Sequence, residues 1–149
     1  MGHQTDSFAA QDKRSVKSKP RPYQPTPAFI GTSWLAFFAG GIAYNIGLWN
    51  ADMVLHEKGY YFIILLFSLF SVISVQKNVR DRLEFIQVSD LYYGISWFVT
   101  VISILLLVIG LWNANLSLSE KGFYGMSFTL CVFSSIAIQK NVRDMQIDK

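Results

Sequence analysis

Four stretches of the chain are almost wholly apolar. They cover about residues 28–49, 60–75, 91–112 and 122–138, and the charged residues lie between them. The third, LYYGISWFVTVISILLLVIGLW, carries no charge from Leu91 through Trp112. A helix needs about 20 mostly apolar residues to cross a bilayer, with a working range of about 17–25. The first and third stretches meet this requirement, and the second and fourth lie near its lower limit. A helix of a soluble bundle keeps a polar face, and a strand of a membrane barrel alternates in polarity over about 10 residues. These stretches do neither. The pattern predicts an all-α integral membrane protein with four transmembrane helices.

The polar punctuation repeats. GLWNADMVLHEKGYY from Gly47 returns as GLWNANLSLSEKGFY from Gly110, an offset of 63. At the same offset GTSW from Gly31 answers GISW from Gly94, and QKNVRD from Gln76 recurs unchanged from Gln139. The repeated unit runs from Gly31 to Asp81 and again from Gly94 to Asp144. Each unit is a helix hairpin with two spans, so both copies enter the membrane in the same direction. Their pseudo-two-fold axis lies along the membrane normal, unlike the inverted repeats of many transporters. The chain divides into a basic, proline-rich disordered tail (1–28), a first two-helix repeat (29–82), a linker with the start of the third span (83–93), a second repeat (94–144) and a short C-terminal tail (145–149). Small residues let helices approach closely. The first span has Gly31, Ala36, Ala39, Gly40, Gly41 and Gly47, so it is expected to be central and the third span to face lipid.

Composition agrees with this reading. Apolar residues make up 52% of the chain and charged residues 15%, against roughly 25% charged in a soluble domain. The net charge of +3 is small, but its placement is informative. Lys13, Arg14, Lys17, Lys19 and Arg21 precede the first span, Lys77, Arg80 and Arg82 follow the second, and Lys140, Arg143 and Lys149 follow the fourth. Only Lys58 and Lys121 lie at the other ends of the helices. Lysine and arginine accumulate on the cytoplasmic side, so both termini and the middle linker are expected in the cytoplasm and the two elbows outside. The tail, with Pro20, Pro22, Pro25 and Pro27, favours extended backbone. It suits contact with anionic lipid at about 1 kcal/mol per basic residue. It shows no apolar leader segment. The bilayer itself is the expected partner, together with a further copy of the chain or another membrane protein, and nothing in the pattern points to nucleic acid.

Chemistry-bearing residues are few. Cys131 is the only cysteine and reads as a small packed hydrophobe. His56 has no neighbouring ligand residues in the sequence, so no metal site is expected. No phosphate loop, nucleophile elbow or other cofactor or catalytic pattern is present. No ionisable side chain falls inside a span, which argues against proton-coupled transport. Asn45, Ser68, Ser71, Ser74, Ser134 and Ser135 do fall inside spans and are expected to hydrogen-bond between helices.

The elbows have a structural reading. Trp49 and Trp112 sit at headgroup level. Asn50 and Asn113 close a helix in the left-handed conformation. Glu57 and Glu120 meet the next helix dipole, and Gly59 and Gly122 turn the chain. The alternative is an outer polar rim for a headgroup or partner, formed by Asn50, Glu57, Lys58, Asn113, Glu120 and Lys121. Lys77, Arg80, Lys140 and Arg143 read as cytoplasmic membrane anchors. Lys77 is spaced to pair with Asp81, and Lys140 with Asp144.

GLWNA, EKGYY or EKGFY, and QKNVRD, each twice over on paired spans, resemble the YiaA inner-membrane protein family, built from two YiaAB two-helix domains. The resemblance covers about residues 28–144. It implies a multi-pass protein of the bacterial inner membrane and implies no activity, cofactor or catalytic residue. The leading expectation is a non-enzymatic scaffold, partner or stress-related accessory protein. A small channel or carrier formed by an oligomer of four-helix bundles is the alternative, and a lipid enzyme at the Asn/Glu rim ranks last.

Overall fold

The computed structural model describes residues 24–146. The tail expected over residues 1–28 lies outside the described residues as far as residue 23, as do residues 147–149. Among the described residues four helices follow one another: α1 (Pro27–Asn50), α2 (Leu55–Leu83), α3 (Asp90–Asn113) and α4 (Leu118–Gln146). Each is long and apolar enough to cross a membrane. At 1.5 Å per residue, α1 and α3 are about 36 Å long and α2 and α4 about 44 Å. The second and fourth apolar stretches looked short because their helices continue through QKNVRD, past the apolar zone.

Local chemistry sets the helix ends. Thr26 Oγ1 accepts from the Phe29 amide at 3.2 Å, ahead of Pro27 at the first helical position. Ser89 Oγ accepts from the Tyr92 amide at 3.1 Å. Helix α4 opens on a reciprocal box, with the Glu120 amide donating to Ser117 Oγ at 3.2 Å and the Ser117 amide donating to the Glu120 carboxylate at 2.8 Å. Helix α2 keeps half of it, since Val54 has no acceptor but its amide donates to Glu57 at 3.2 Å. Such boxes satisfy amides that the helix leaves unpaired. At the other end of α2, Phe85 takes φ 58°. There the Ile86 amide donates to the Asp81 carbonyl and the Phe85 amide to the Arg82 carbonyl, a Schellman closure usually built on glycine.

The packing crosses between the repeats. Helix α1 lies along α4 and α2 along α3, while α2 and α4 meet between these pairs and α1 touches α2 only lightly. The hairpins visible in the sequence are therefore not self-packed units. Each helix of one repeat pairs with the other type of helix from the second repeat. The inner helices are α2, with ten buried residues, and α4, with eight, whereas α1 and α3 bury four and three. This corrects the expectation of a central first span. Its small residues do bring α1 close to α4, but along one narrow line. A Cβ built on Gly40 would lie 2.7 Å from the Cys131 amide nitrogen and 2.9 Å from the Ser127 carbonyl oxygen, whereas one on Gly31 would meet nothing.

The core is centred on Tyr44, Tyr61, Tyr124, Phe128, Leu65 and Cys131. The fully buried Tyr44 donates its hydroxyl to the Tyr61 carbonyl at 2.9 Å and meets the Tyr124 ring edge-on. The buried serines behave differently from expectation. Ser71, Ser134 and Ser135 donate to Ser68, Leu130 and Val132 carbonyls of their own helices, and Asn45 donates to the Gly41 carbonyl. A serine or asparagine reaches a carbonyl three or four residues back more readily than a neighbouring helix. The direct bonds between helices come from other residues. Asn78 donates to Ser96 Oγ at 2.9 Å, and Asn141 donates to Ser33 Oγ at 3.3 Å. These two bonds are counterparts under the 63-residue offset. Each joins the QKNVRD of one repeat to the GTSW or GISW of the other.

Candidate functional site

The four residues expected to be anchors lie at the basic end of the bundle. The pairing expected of Lys77 and Lys140 falls instead to the arginines. Arg80 meets Asp81 at 3.4 Å and Arg143 meets Asp144 at 3.3 Å, leaving the lysine side chains exposed. Arg82 pairs with Asp90 and lies 3.9 Å over the Tyr93 ring, tying the end of α2 to the start of α3.

At the other end the lysines and asparagines of the elbows bond helix-end carbonyls. Trp49 and Trp112 are exposed, and their backbone carbonyls accept from Lys58 at 2.8 Å and Lys121 at 3.2 Å. Each lysine thus caps the helix before its own, on carbonyls that lack a helical partner. Asn50 and Asn113 stay helical. They donate to the Ile46 and Ile109 carbonyls at 2.8 Å, and the caps at Ala51 and Ala114 are extended. The left-handed closure expected of the asparagines is absent because the lysines and the asparagine amides already satisfy the terminal carbonyls. Gly59 and Gly122 lie within the first turns of α2 and α4 and turn nothing.

The six rim candidates separate into two clefts and two caps. One cleft, of about 420 Å³, lies between the first elbow and the end of α3, lined by Asp52, His56, Glu57, Tyr60 and Tyr61 on one side and Gly110, Asn113, Ala114 and Asn115 on the other. The second, of about 340 Å³, is lined by Gly47, Asn50, Ala51, Ser119, Glu120, Phe123 and Tyr124. Each residue of the second cleft has its counterpart, 63 positions away, in the first. Glu57 therefore faces Asn113, and Glu120 faces Asn50, so each cleft joins the carboxylate of one repeat to the amide of the other. Lys58 and Lys121 line neither. The glycine of GLWN explains the shape. A Cβ on Gly110 would lie 2.8 Å from the Tyr60 ring and 3.2 Å from the Tyr61 hydroxyl, and one on Gly47 would lie 2.5 Å from the Phe123 ring.

The clefts differ in chemistry. His56, Asp52 and Tyr60 enrich the first, where the second has Ser119 and Phe123. Tyr60 donates its hydroxyl to the Leu106 carbonyl at 2.7 Å. Glu120 is held by both the Ser117 amide and the Ser117 hydroxyl, while Glu57 bonds only the Val54 amide. Among the described residues, no three His, Cys, Asp or Glu side chains converge as metal ligands. Sequence reading missed Tyr61 and Tyr124, which are 4% and 3% exposed on the two cleft walls. Their place in EKGYY and EKGFY, repeated in both copies, was the available signal.

Four membrane-crossing helices, matched elbows and cross-repeat hydrogen bonds define an integral membrane protein made from two copies of one two-helix unit. The family model described as "yiaA/B two helix domain" matches residues 29–81 and 92–144, and the chain belongs to that family. It is 52% identical over 123 residues to Inner membrane protein YiaA of Escherichia coli (strain K12), covering 83% of this chain and 85% of that one. It is 30% identical over 104 residues to Inner membrane protein YiaB of the same organism, covering 70% and 88%. It is 42% identical over 60 residues to Uncharacterized membrane protein YubF of Bacillus subtilis (strain 168), covering 40% and 69%. No solved structure matches.

Proposed function

We propose that this membrane protein is a non-enzymatic scaffold or partner subunit of the bacterial inner membrane, acting through lateral contacts with other membrane proteins. Its termini face the cytoplasm and its elbows the outside. The observation that carries the reading is how the polar groups at membrane depth are used. The buried Ser71, Ser134 and Ser135 bond their own helices, the two asparagine–serine bonds clamp the repeats together, and α1 and α4 close to backbone contact at Gly40. The outward faces carry large apolar side chains, among them Leu35, Ile42, Val101 and Val108, suited to lipid and to other membrane helices.

In-cell photo-crosslinking tests this reading. A photoreactive residue at Leu35, Ile42, Val101 or Val108 should give discrete adducts with one or a few membrane proteins, this chain included. Lipid adducts alone at all four positions would overturn it. So would solute or ion flux through the purified protein in vesicles, which would favour the channel or carrier alternative.

A further inference from the structure

The first elbow cleft is built to hold an organic cation. We propose that it binds a primary alkylammonium group, supplied by the ethanolamine headgroup of a lipid or by a free amine. The assignment goes beyond the scaffold reading and does not depend on it.

The cleft offers acceptors and tyrosine rings, with no lysine or arginine. Asp52 and Glu57 contribute two carboxylates, and one of the Glu57 oxygens has no partner among the described residues. Asn113 donates its amide nitrogen to Ile109, which leaves its amide oxygen free for a ligand. Tyr61 is 4% exposed, yet its hydroxyl makes no hydrogen bond among the described residues. It lies 3.2 Å from the Cβ position of Gly110, on the cleft wall. The ring is buried, but the hydroxyl oxygen is not among the buried unpartnered atoms, so it opens into the cleft and is available to a ligand. An anion placed there would face two carboxylates and no lysine or arginine. A bare metal ion finds no converging ligand set and would fill little of a cleft of about 420 Å³. An alkylammonium group satisfies the carboxylates and the amide oxygen with its three N–H donors, and the tyrosine rings give its alkyl chain an apolar wall. The cleft opens at the level of Trp49 and Trp112, both exposed at their helix ends, where lipid headgroups lie. The second cleft has a single carboxylate, one oxygen of which accepts from both Ser117 groups, and is not assigned a ligand.

The test uses the full chain in lipid nanodiscs. In one arm, nanodiscs of mixed phosphatidylethanolamine and phosphatidylglycerol are analysed by native mass spectrometry for lipid retained on the protein. In the other, putrescine is titrated calorimetrically into nanodiscs of phosphatidylglycerol alone. Selective retention of the ethanolamine lipid, or saturable putrescine binding, is the expected result, and the arm that responds identifies the source. The double variant Asp52→Asn with Glu57→Gln should weaken the response at least tenfold, since glutamine still caps α2 but carries no charge. Glu84→Gln, a charge control at the opposite end of α2, should leave it within twofold. Unaltered thiol protection of Cys131 certifies that the double variant is folded. Silence in both arms, an equal response from the folded double variant, or equal loss in Glu84→Gln would each overturn the proposal.

Discussion

Replacing Gly40 with alanine should part α1 from α4. The new Cβ would stand 2.7 Å from the Cys131 amide nitrogen, 2.9 Å from the Ser127 carbonyl oxygen and 3.1 Å from the Cys131 Cα. Ordinary contact begins near 3.4 Å, so the two backbones must separate by about 0.7 Å. No flexible side chain can absorb that shift, because the atoms met belong to the α4 backbone. A gap of about 0.5–1 Å forfeits roughly a quarter to a half of each dispersion contact along the seam, and overpacking of this kind costs about 1–3 kcal/mol. The higher helix propensity of alanine brings little relief, because a separated helix in lipid stays helical to keep its backbone bonded. The single native thiol reports the outcome. Cys131 is 1% exposed beneath α1, so a small maleimide reaches it only when the seam opens. A cost of about 1–3 kcal/mol corresponds to labelling faster by about 5- to 150-fold. Gly31→Ala, where the Cβ meets nothing, should label at the wild-type rate. A Gly40→Ala protein that labels within twofold of wild type would refute the close-approach argument.

Other substitutions probe the remaining contacts. Asn78→Ala and Asn141→Ala each remove one bond between helices and should each cost about 0.6 kcal/mol, up to about 1.7, measured by denaturant titration in mixed micelles. A double-mutant cycle of Asn78 with Ser96 should show coupling, and one of Asn78 with Ser33 should not. Ser68 is fully buried with its hydroxyl unpaired among the described residues, so Ser68→Ala should be neutral or stabilising by up to about 1 kcal/mol in the same titration. Reporter fusions after Asp52 and Asn115 should read outside, and those after Asp81 and Asp144 inside. The reverse pattern would overturn the orientation derived from the basic residues.

The spans and the duplication were legible because each depends on run length or on identity between copies. The partner of each helix was not. An apolar helix in lipid lacks the polar-versus-apolar face that reveals inward direction in a soluble bundle, and a repeated two-helix unit suggests a self-packed hairpin. The glycine-rich run of α1 drew attention to the wrong helix, since the close approaches along it come at Gly40 and Gly47. The span serines were misread because their hydroxyls reach local carbonyls first. Asn78 and Asn141 were hidden inside a motif that read as a membrane stop. Asparagine is a poor helix former, and its presence mid-helix in both copies was the signal for a specific contact. The elbow residues were found, but their division into two clefts needed the cross-repeat packing, which brings the carboxylate of one copy opposite the amide of the other.

That crossing has a consequence for assembly. The main seams, α1 with α4 and α2 with α3, join one repeat to the other, so each half of the chain leaves its principal packing faces uncovered when alone. The covalent link between halves is the short linker after Leu83, where Phe85 is exposed and the Arg82 contacts to Asp90 and Tyr93 hold the ends without the backbone. Linkage raises the effective concentration of the halves but adds no contact. A chain cut after Ile86 and expressed as residues 1–86 and 87–149 should therefore reassemble in the membrane. The two pieces should co-purify through a tag on either one, with Cys131 protected as in the intact protein. The second piece expressed alone should expose Cys131, because the α1 seam that covers it is absent. If each piece instead accumulated alone with Cys131 protected and neither captured the other, the hairpins would be self-sufficient units and the cross-repeat packing would be wrong.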